Sequence, residues 1–177
     1  MISLSIVIPI LNEGKNIVKL VEEIKKEKRL LNVNNFELVI IDDNSIDDTK
    51  IVLEKVQKKN KFLKYYIRKN KKRDLTQSCL LGFDKSLYPN ILVMDGDLQH
   101  PPKYIKHILN TFISGNYDIV VGTRNLLKKK DPGLGYIRYV SSIIIIIAVN
   151  LLLGDKTKDP MSGFFLFKKE IYKKNKK

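Results

Sequence analysis

Scarcity narrows the reading of this chain first. Its 177 residues include one cysteine, two histidines and no tryptophan. The single thiol, Cys79, closes no internal disulfide and fits a reducing compartment; it reads as a small buried apolar residue rather than a nucleophile. One cysteine and two histidines offer no zinc-site spacing. The first strand-like run leads into a turn without Gly-x-Gly-x-x-Gly, and no glycine-rich loop ends in Lys-Ser/Thr. Those absences argue against a dinucleotide-binding oxidoreductase and a P-loop enzyme. Met1 runs straight into Ile2 to Ile10, with no basic segment or small-residue cleavage site, so no signal peptide is expected.

Long apolar runs are also missing. Tyr139 to Leu153 is 15 residues with Ser141, Ser142 and Asn150 inside it, where a membrane span needs about 20 apolar residues. Two readings stand: a buried core helix, or an interfacial helix whose flanking Arg138, Lys156 and Lys158 suit anionic headgroups.

What the chain has in excess is positive charge. Thirty-three Lys and Arg against 19 Asp and Glu give a net +14, but only five of the bases are arginine. The excess is spread out, in runs such as Lys25-Lys26-Glu27-Lys28-Arg29 that read as solvated helix ends. Diffuse lysine charge suits an anionic membrane surface better than nucleic acid. With 44% hydrophobic residues, the length fits one domain with a real core.

Apolar runs alternate with stretches of helical spacing. Ser3 to Pro9, Phe36 to Ile41, Phe62 to Ile67, Ile91 to Met94 and Tyr117 to Val121 read as strands. Helices are expected near Lys15–Lys28, where Ile17, Leu20, Val21 and Ile24 recur, and near Thr49–Lys59. The second should bury Ile51, Val52 and Val56, with Leu53 a further candidate. A third helix is expected near Leu75–Leu87, and a fourth from Pro101-Pro102 through Phe112. This alternation predicts an α/β fold with a mostly parallel central sheet flanked by helices. Polar residues fall at successive strand ends: Asn12 and Glu13, Asp42 and Asp43, Asp95 and Asp97, Thr123 and Arg124. Open α/β sheets bind ligands at that edge.

Among those ends, Asp95-Gly96-Asp97 follows a buried strand. In extended backbone its two carboxylates would point the same way and could hold a divalent cation with positions open for phosphate oxygens. The alternative is an ordinary Asp/Gly turn; its alignment with the other polar strand ends favours the site.

Five segments occur in order: Ser5 to Glu13, Val39 to Thr49, Asp95 to Pro102, Gly122-Thr123-Arg124, and Asp159-Pro160-Met161-Ser162-Gly163-Phe164-Phe165. Together they resemble family 2 glycosyltransferases of the GT-A, Rossmann-like nucleotide-diphospho-sugar transferase fold, and within them the dolichyl-phosphate or polyprenyl-phosphate mannosyltransferase branch. The likeness covers about residues 3 to 172 and implies one catalytic domain over 1–177. It implies donor binding by Pro9, Leu11, Glu13, Ile41, Asp42, Asp43, Asp95, Gly96, Asp97 and Arg124. Leu11 stands where the family often has Tyr. It further implies Mg²⁺ or Mn²⁺ on Asp95, Asp97 and Gln99, an acceptor phosphate on Arg124, Arg138 and Ser142, and catalysis through Asp97, Arg124 and Arg138.

The implied reaction is inverting transfer of a hexose, mannose favoured, from a nucleoside-diphosphate sugar, GDP-mannose favoured, to a polyprenyl phosphate. The place would be the cytoplasmic face of a membrane, held peripherally. A UDP-sugar donor and an undecaprenyl acceptor remain open, as does an inactive nucleotide-sugar-binding fragment. A sugar nucleotidyltransferase would need a glycine-rich, basic first turn, which Pro9 to Asn16 lacks. Related enzymes continue beyond the point equivalent to Lys177, so truncation at the carboxyl end is expected. Arg73 to Cys79 departs from the family's glycine-rich helix start, with Asp74 or Thr76 as the alternative cap. No sequence feature speaks to oligomeric state.

Overall fold

The computed structural model describes residues 2–69, 72–98, 100–123 and 162–176. In chain order these are β1 (Ile2–Ile10), α1 (Gly14–Lys28), β2 (Val33–Asp42), α2 (Thr49–Lys59), β3 (Leu63–Ile67), α3 (Leu75–Lys85), β4 (Asn90–Val93), α4 (Ile105–Ser114), β5 (Ile119–Val121), β6 (Phe165–Lys168) and α5 (Lys169–Asn175). A short 3-10 turn, Pro102–Tyr104, leads into α4.

β1 is the centre of the sheet because it is apolar on both faces. Leu4, Ile6, Ile8 and Ile10 face α1, α2 and α4, packing with Leu20, Leu53 and Leu109. Val7 faces the other way with Val39, Ile41, Val93 and Phe83. Alternation of side chains across a strand explains the division, and burial on both faces explains why Ile6 to Ile10 reads as an unbroken apolar run.

The sheet order is β3-β2-β1-β4-β6-β5. β1 pairs in parallel with β2, ending at Ile10 opposite Asp42, and with β4, ending at Val7 opposite Val93. The chain thus builds outward from β1 through β2 to β3, then returns to place β4 on the other side. That reversal leaves a crevice beyond the carboxyl ends of β1 and β4, where the connections leave in opposite directions.

The expected α/β class is present, with differences that have physical reasons. β6 runs antiparallel between β4 and β5. It brings Phe165, Leu166 and Phe167 beside β4 and β5, which lie well back in the chain, a pairing that local periodicity does not encode. α2 buries Thr49 and Leu53 while Ile51 is 56% exposed. Positions 49, 52, 53 and 56 form one helical stripe, and 51 falls off it. β5 is shorter than Tyr117 to Val121, with Tyr117 exposed at the edge.

At the opposite end of the sheet from the crevice, Glu37 is 3% exposed. It accepts from Ser5 Oγ at 2.7 Å, Leu87 N–H at 2.5 Å and Lys64 Nζ at 3.2 Å. A buried carboxylate needs such partners, and these tie three strands to the α3–β4 connection. Among the described residues, no helix is long and apolar enough to cross a membrane. Gln99, Arg124, Arg138, Ser142 and the Tyr139 to Leu153 stretch lie outside the described residues.

Candidate functional site

Two turns build one wall of the crevice by stitching together. Asn12, with a left-handed φ of 58°, donates its backbone N–H to Ser45 Oγ at 2.7 Å and accepts Ile46 N–H on its side chain at 2.9 Å. Asparagine tolerates that conformation better than most residues. Glu13 follows, its carboxylate accepting from Asn16 Nδ2 at 2.6 Å and its carbonyl taking the first backbone bonds of α1. Asp47 joins the two turns by accepting from Gly14 N–H at 3.3 Å and Thr49 N–H at 3.1 Å. Desolvation works to raise the Asp47 pKa, but the nearby Thr49 hydroxyl and the bonds from the Thr49 and Gly14 backbone N–H groups outweigh it and hold the group below its ordinary value.

Asp42 and Asp43 close the end of β2. Asp42 is 1% exposed and accepts on Oδ1 from Ser45 N–H at 3.0 Å and Ser45 Oγ at 2.5 Å. Asp43 uses both oxygens. Oδ1 pairs with the Arg68 guanidinium, and Oδ2 accepts Asp74 N–H at 2.6 Å. Arg68 also donates to Asp74 O at 3.0 Å and Ser78 Oγ at 3.3 Å. Asp43, which the resemblance places at the donor nucleoside, lines the cleft while its carboxylate straps the β3–α3 connection onto the sheet edge. Ile41 packs in the core beside Val39 and Phe83, and Asp42 serves the turn.

The facing wall comes from β4. The strand ends at Val93, and Asp95 to Asp97 form a turn rather than extended backbone. Strand alternation therefore does not align the two carboxylates; both reach the cleft from a non-strand segment. Gly96 passes so close to β1 that a Cβ there would lie 2.6 Å from Ile10 Cγ2. Asp95 is 38% exposed in its side chain, and its Oδ2 lies 3.3 Å from His100 Nδ1. Asp97 is exposed.

These walls enclose an open cleft of about 370 Å³. Of the residues expected at the donor site, Pro9, Leu11, Glu13, Asp43, Asp95, Gly96 and Asp97 line it together. Arg73, Asp74, Leu75 and Ser78 also line it; the sequence offered Asp74 as a helix cap and gave none of the four a ligand-binding role. Arg73 is the cation among these described lining residues, against the carboxylates of Glu13, Asp43, Asp74, Asp95 and Asp97. The usable signal was Arg73 directly before Asp74, which caps α3 by accepting Gln77 N–H at 3.0 Å. Cys79 is half-buried rather than fully buried, and it is no nucleophile: desolvation, then the Asp95 charge, pushes its thiol up to about 11, far from a reactive thiolate.

Among the described residues, no three His, Cys, Asp or Glu side chains gather into a complete metal cage. The donors fit a hard cation nonetheless. Asp95 and Asp97 offer carboxylate oxygens to one open cleft, and Mg²⁺-type sites take one or two carboxylates and leave the rest to water and phosphate.

The order of the strands, the reversal at β1 and β4, and a cleft lined by an acidic turn and an arginine define an α/β protein with a candidate ligand site at the switch point of its sheet. The model for glycosyl transferase family 2 matches residues 5–175, and the chain belongs to that family. It is 33% identical over 170 residues to the dolichol-phosphate mannosyltransferase of Pyrococcus furiosus, covering 94% of this chain and 46% of that protein. The fold matches the crystal structure of mannosyl-3-phosphoglycerate synthase from Rubrobacter xylanophilus with a TM-score of 0.75 at 14% identity, covering 97% of this chain and 54% of that one. It also matches glucosyl-3-phosphoglycerate synthase from Mycobacterium tuberculosis, in complex with Mn²⁺, UDP-glucose and phosphoglyceric acid, with a TM-score of 0.71 at 18% identity, covering 96% and 57%. The chain thus spans about half the length of the mannosyltransferase it matches.

Proposed function

We propose that this chain carries the donor site of an inverting, metal-dependent glycosyltransferase that moves mannose from GDP-mannose to a polyprenyl or dolichyl phosphate. The observation that carries this reading is the placement of Asp95 and Asp97 in one cleft with Glu13 and Arg73 at the sheet's reversal point. The 33% identity to a dolichol-phosphate mannosyltransferase supports the choice of sugar and lipid.

In this reading Glu13, already oriented by Asn16, accepts from the ribose hydroxyls. Arg73 meets the diphosphate, where a guanidinium fork suits phosphate oxygens. Asp95 and Asp97, with Gln99, would hold Mg²⁺ or Mn²⁺, which when bound neutralises charge on the departing diphosphate. The acceptor is a phosphate monoester with a second pKa of about 6. Its oxygen arrives anionic and attacks the anomeric carbon from the face opposite the diphosphate. The new C–O bond forms as the bond to the nucleoside diphosphate breaks, and no strong general base is required. Arg124, Arg138 and Ser142 are the groups assigned to that acceptor phosphate, so positioning and charge stabilisation carry the rate. The membrane surface follows from the lipid acceptor.

Donor screening tests the proposal. GDP-mannose and UDP-glucose, each with polyprenyl phosphate and Mn²⁺, are offered to this chain and to a longer form carrying further sequence. Mannosyl transfer from GDP-mannose supports the reading. Transfer from UDP-glucose alone moves it to the UDP-sugar branch, and Mn²⁺-dependent GDP-mannose binding without transfer by either form reduces it to a donor-binding module.

A further inference from the structure

Asp95 is pressed by a segment from the far end of the chain. A Cβ on Gly163 would lie 2.6 Å from Asp95 Oδ2 and 2.7 Å from Asp95 Oδ1. Gly163 does not have the left-handed backbone that favours glycine, so room beside Asp95 is what this position requires. The atoms an added methyl would displace are the ends of a side chain, and a side chain can rotate. The predicted cost of a larger residue therefore falls on where the Asp95 carboxylate points, more than on the fold.

Neighbouring contacts hold that segment in place. Phe164 is 5% exposed, and its carbonyl accepts Gly122 N–H at 2.8 Å. Its ring stacks on His100 with centroids 5.4 Å apart and planes at 16°. His100 in turn sits 3.3 Å from Asp95 Oδ2, without the alignment of a hydrogen bond, and both its ring nitrogens are buried. Asp95 is thus bounded on one side by the Gly163 backbone and on another by an imidazole that Phe164 holds flat.

We propose that Gly163, Phe164 and His100 form a brace that sets the orientation of the Asp95 carboxylate, as positioning residues for metal-assisted diphosphate binding. The proposal rests on the reading of Asp95 as a metal ligand given above. Groups that orient a ligating carboxylate commonly change metal affinity by about 10–100-fold when altered.

The test measures GDP affinity by calorimetry with and without Mn²⁺, on the whole chain. In the unaltered protein Mn²⁺ should strengthen GDP binding. In Gly163→Ala that strengthening should fall by about 10–100-fold, while metal-free GDP binding and the melting temperature stay close to the starting values. His100→Phe keeps the stack and removes the ring nitrogens; Phe164→Leu keeps an apolar side chain and removes the stack. Both should weaken the Mn²⁺ effect in the same direction, so the proposal does not hang on one variant. If Mn²⁺ strengthens GDP binding equally in all three variants and the parent, the brace is wrong. An equal loss of metal-free and metal-dependent binding, together with a lowered melting temperature, also overturns it, since that is what a merely structural role would give. If Mn²⁺ has no effect even in the unaltered protein, the ligand reading of Asp95 falls, and the brace with it.

Discussion

The turn after β2 and the turn after β4 look alike in sequence: each ends an apolar strand with two closely spaced aspartates. In the structure they have become different things. Asp42 and Asp43 are 1% and 6% exposed, and their oxygens are taken by Ser45, Arg68 and Asp74. Asp95 keeps 38% of its side chain exposed beside His100, and Asp97 stands at the cleft surface. A buried carboxylate with its partners inside the protein holds loops together; one facing a cleft can take a ligand. Burial, not residue type, separates the two turns, and Asp43 does both by lining the cleft from its buried end.

The largest effect expected from breaking this contrast is on stability. Asp43→Ala leaves the Arg68 charge buried without its partner and releases Asp74, so unfolding in urea should show a loss of about 3–5 kcal/mol. A loss confined to donor affinity, at unchanged stability, would instead make Asp43 a ligand-binding acid like Asp95. Next comes Asp97→Ala, which should lower Mn²⁺-dependent transfer by about a hundredfold or more. Metal-dependent donor binding that survives this change would remove the metal assignment.

Arg73→Ala should weaken GDP binding by about tenfold, the scale of one charge-assisted hydrogen bond, and leave guanosine binding unchanged. Equal weakening of both would place Arg73 away from the diphosphate. The smallest effect concerns pH. Asp47, in the turn after β2, has a folded pKa below its ordinary 3.8 because its hydrogen bonds outweigh desolvation. Such a group contributes stability above the unfolded pKa and loses it as pH falls through the folded one. The melting temperature should therefore drop below about pH 4, and Asp47→Asn should flatten part of that drop.

Much of this was legible along the chain. The strands of the first half, the helices between them and the cleft position of Asp95, Gly96, Asp97 and Glu13 all follow from local pattern, because a strand buried on both faces must be apolar and the polar groups must come at its end. Arg73 was not legible as a cleft residue, since its place depends on Asp43 holding Asp74 from 31 positions away. Leu53 rather than Ile51 faces the core because the sheet chooses which helical stripe to cover. The antiparallel β6 was missed because its partners, β4 and β5, lie far back in sequence.

Sequence by itself therefore determined the family, the α/β class and the acidic turn after β4, all of which rest on local order and composition. Tertiary structure alone decided which aspartates are spent on holding loops, that Arg73 crosses to the cleft, and that Gly163 stands against Asp95. Each of those depends on groups distant in the chain meeting in space, and hydrogen bonds and close packing act only once they have met.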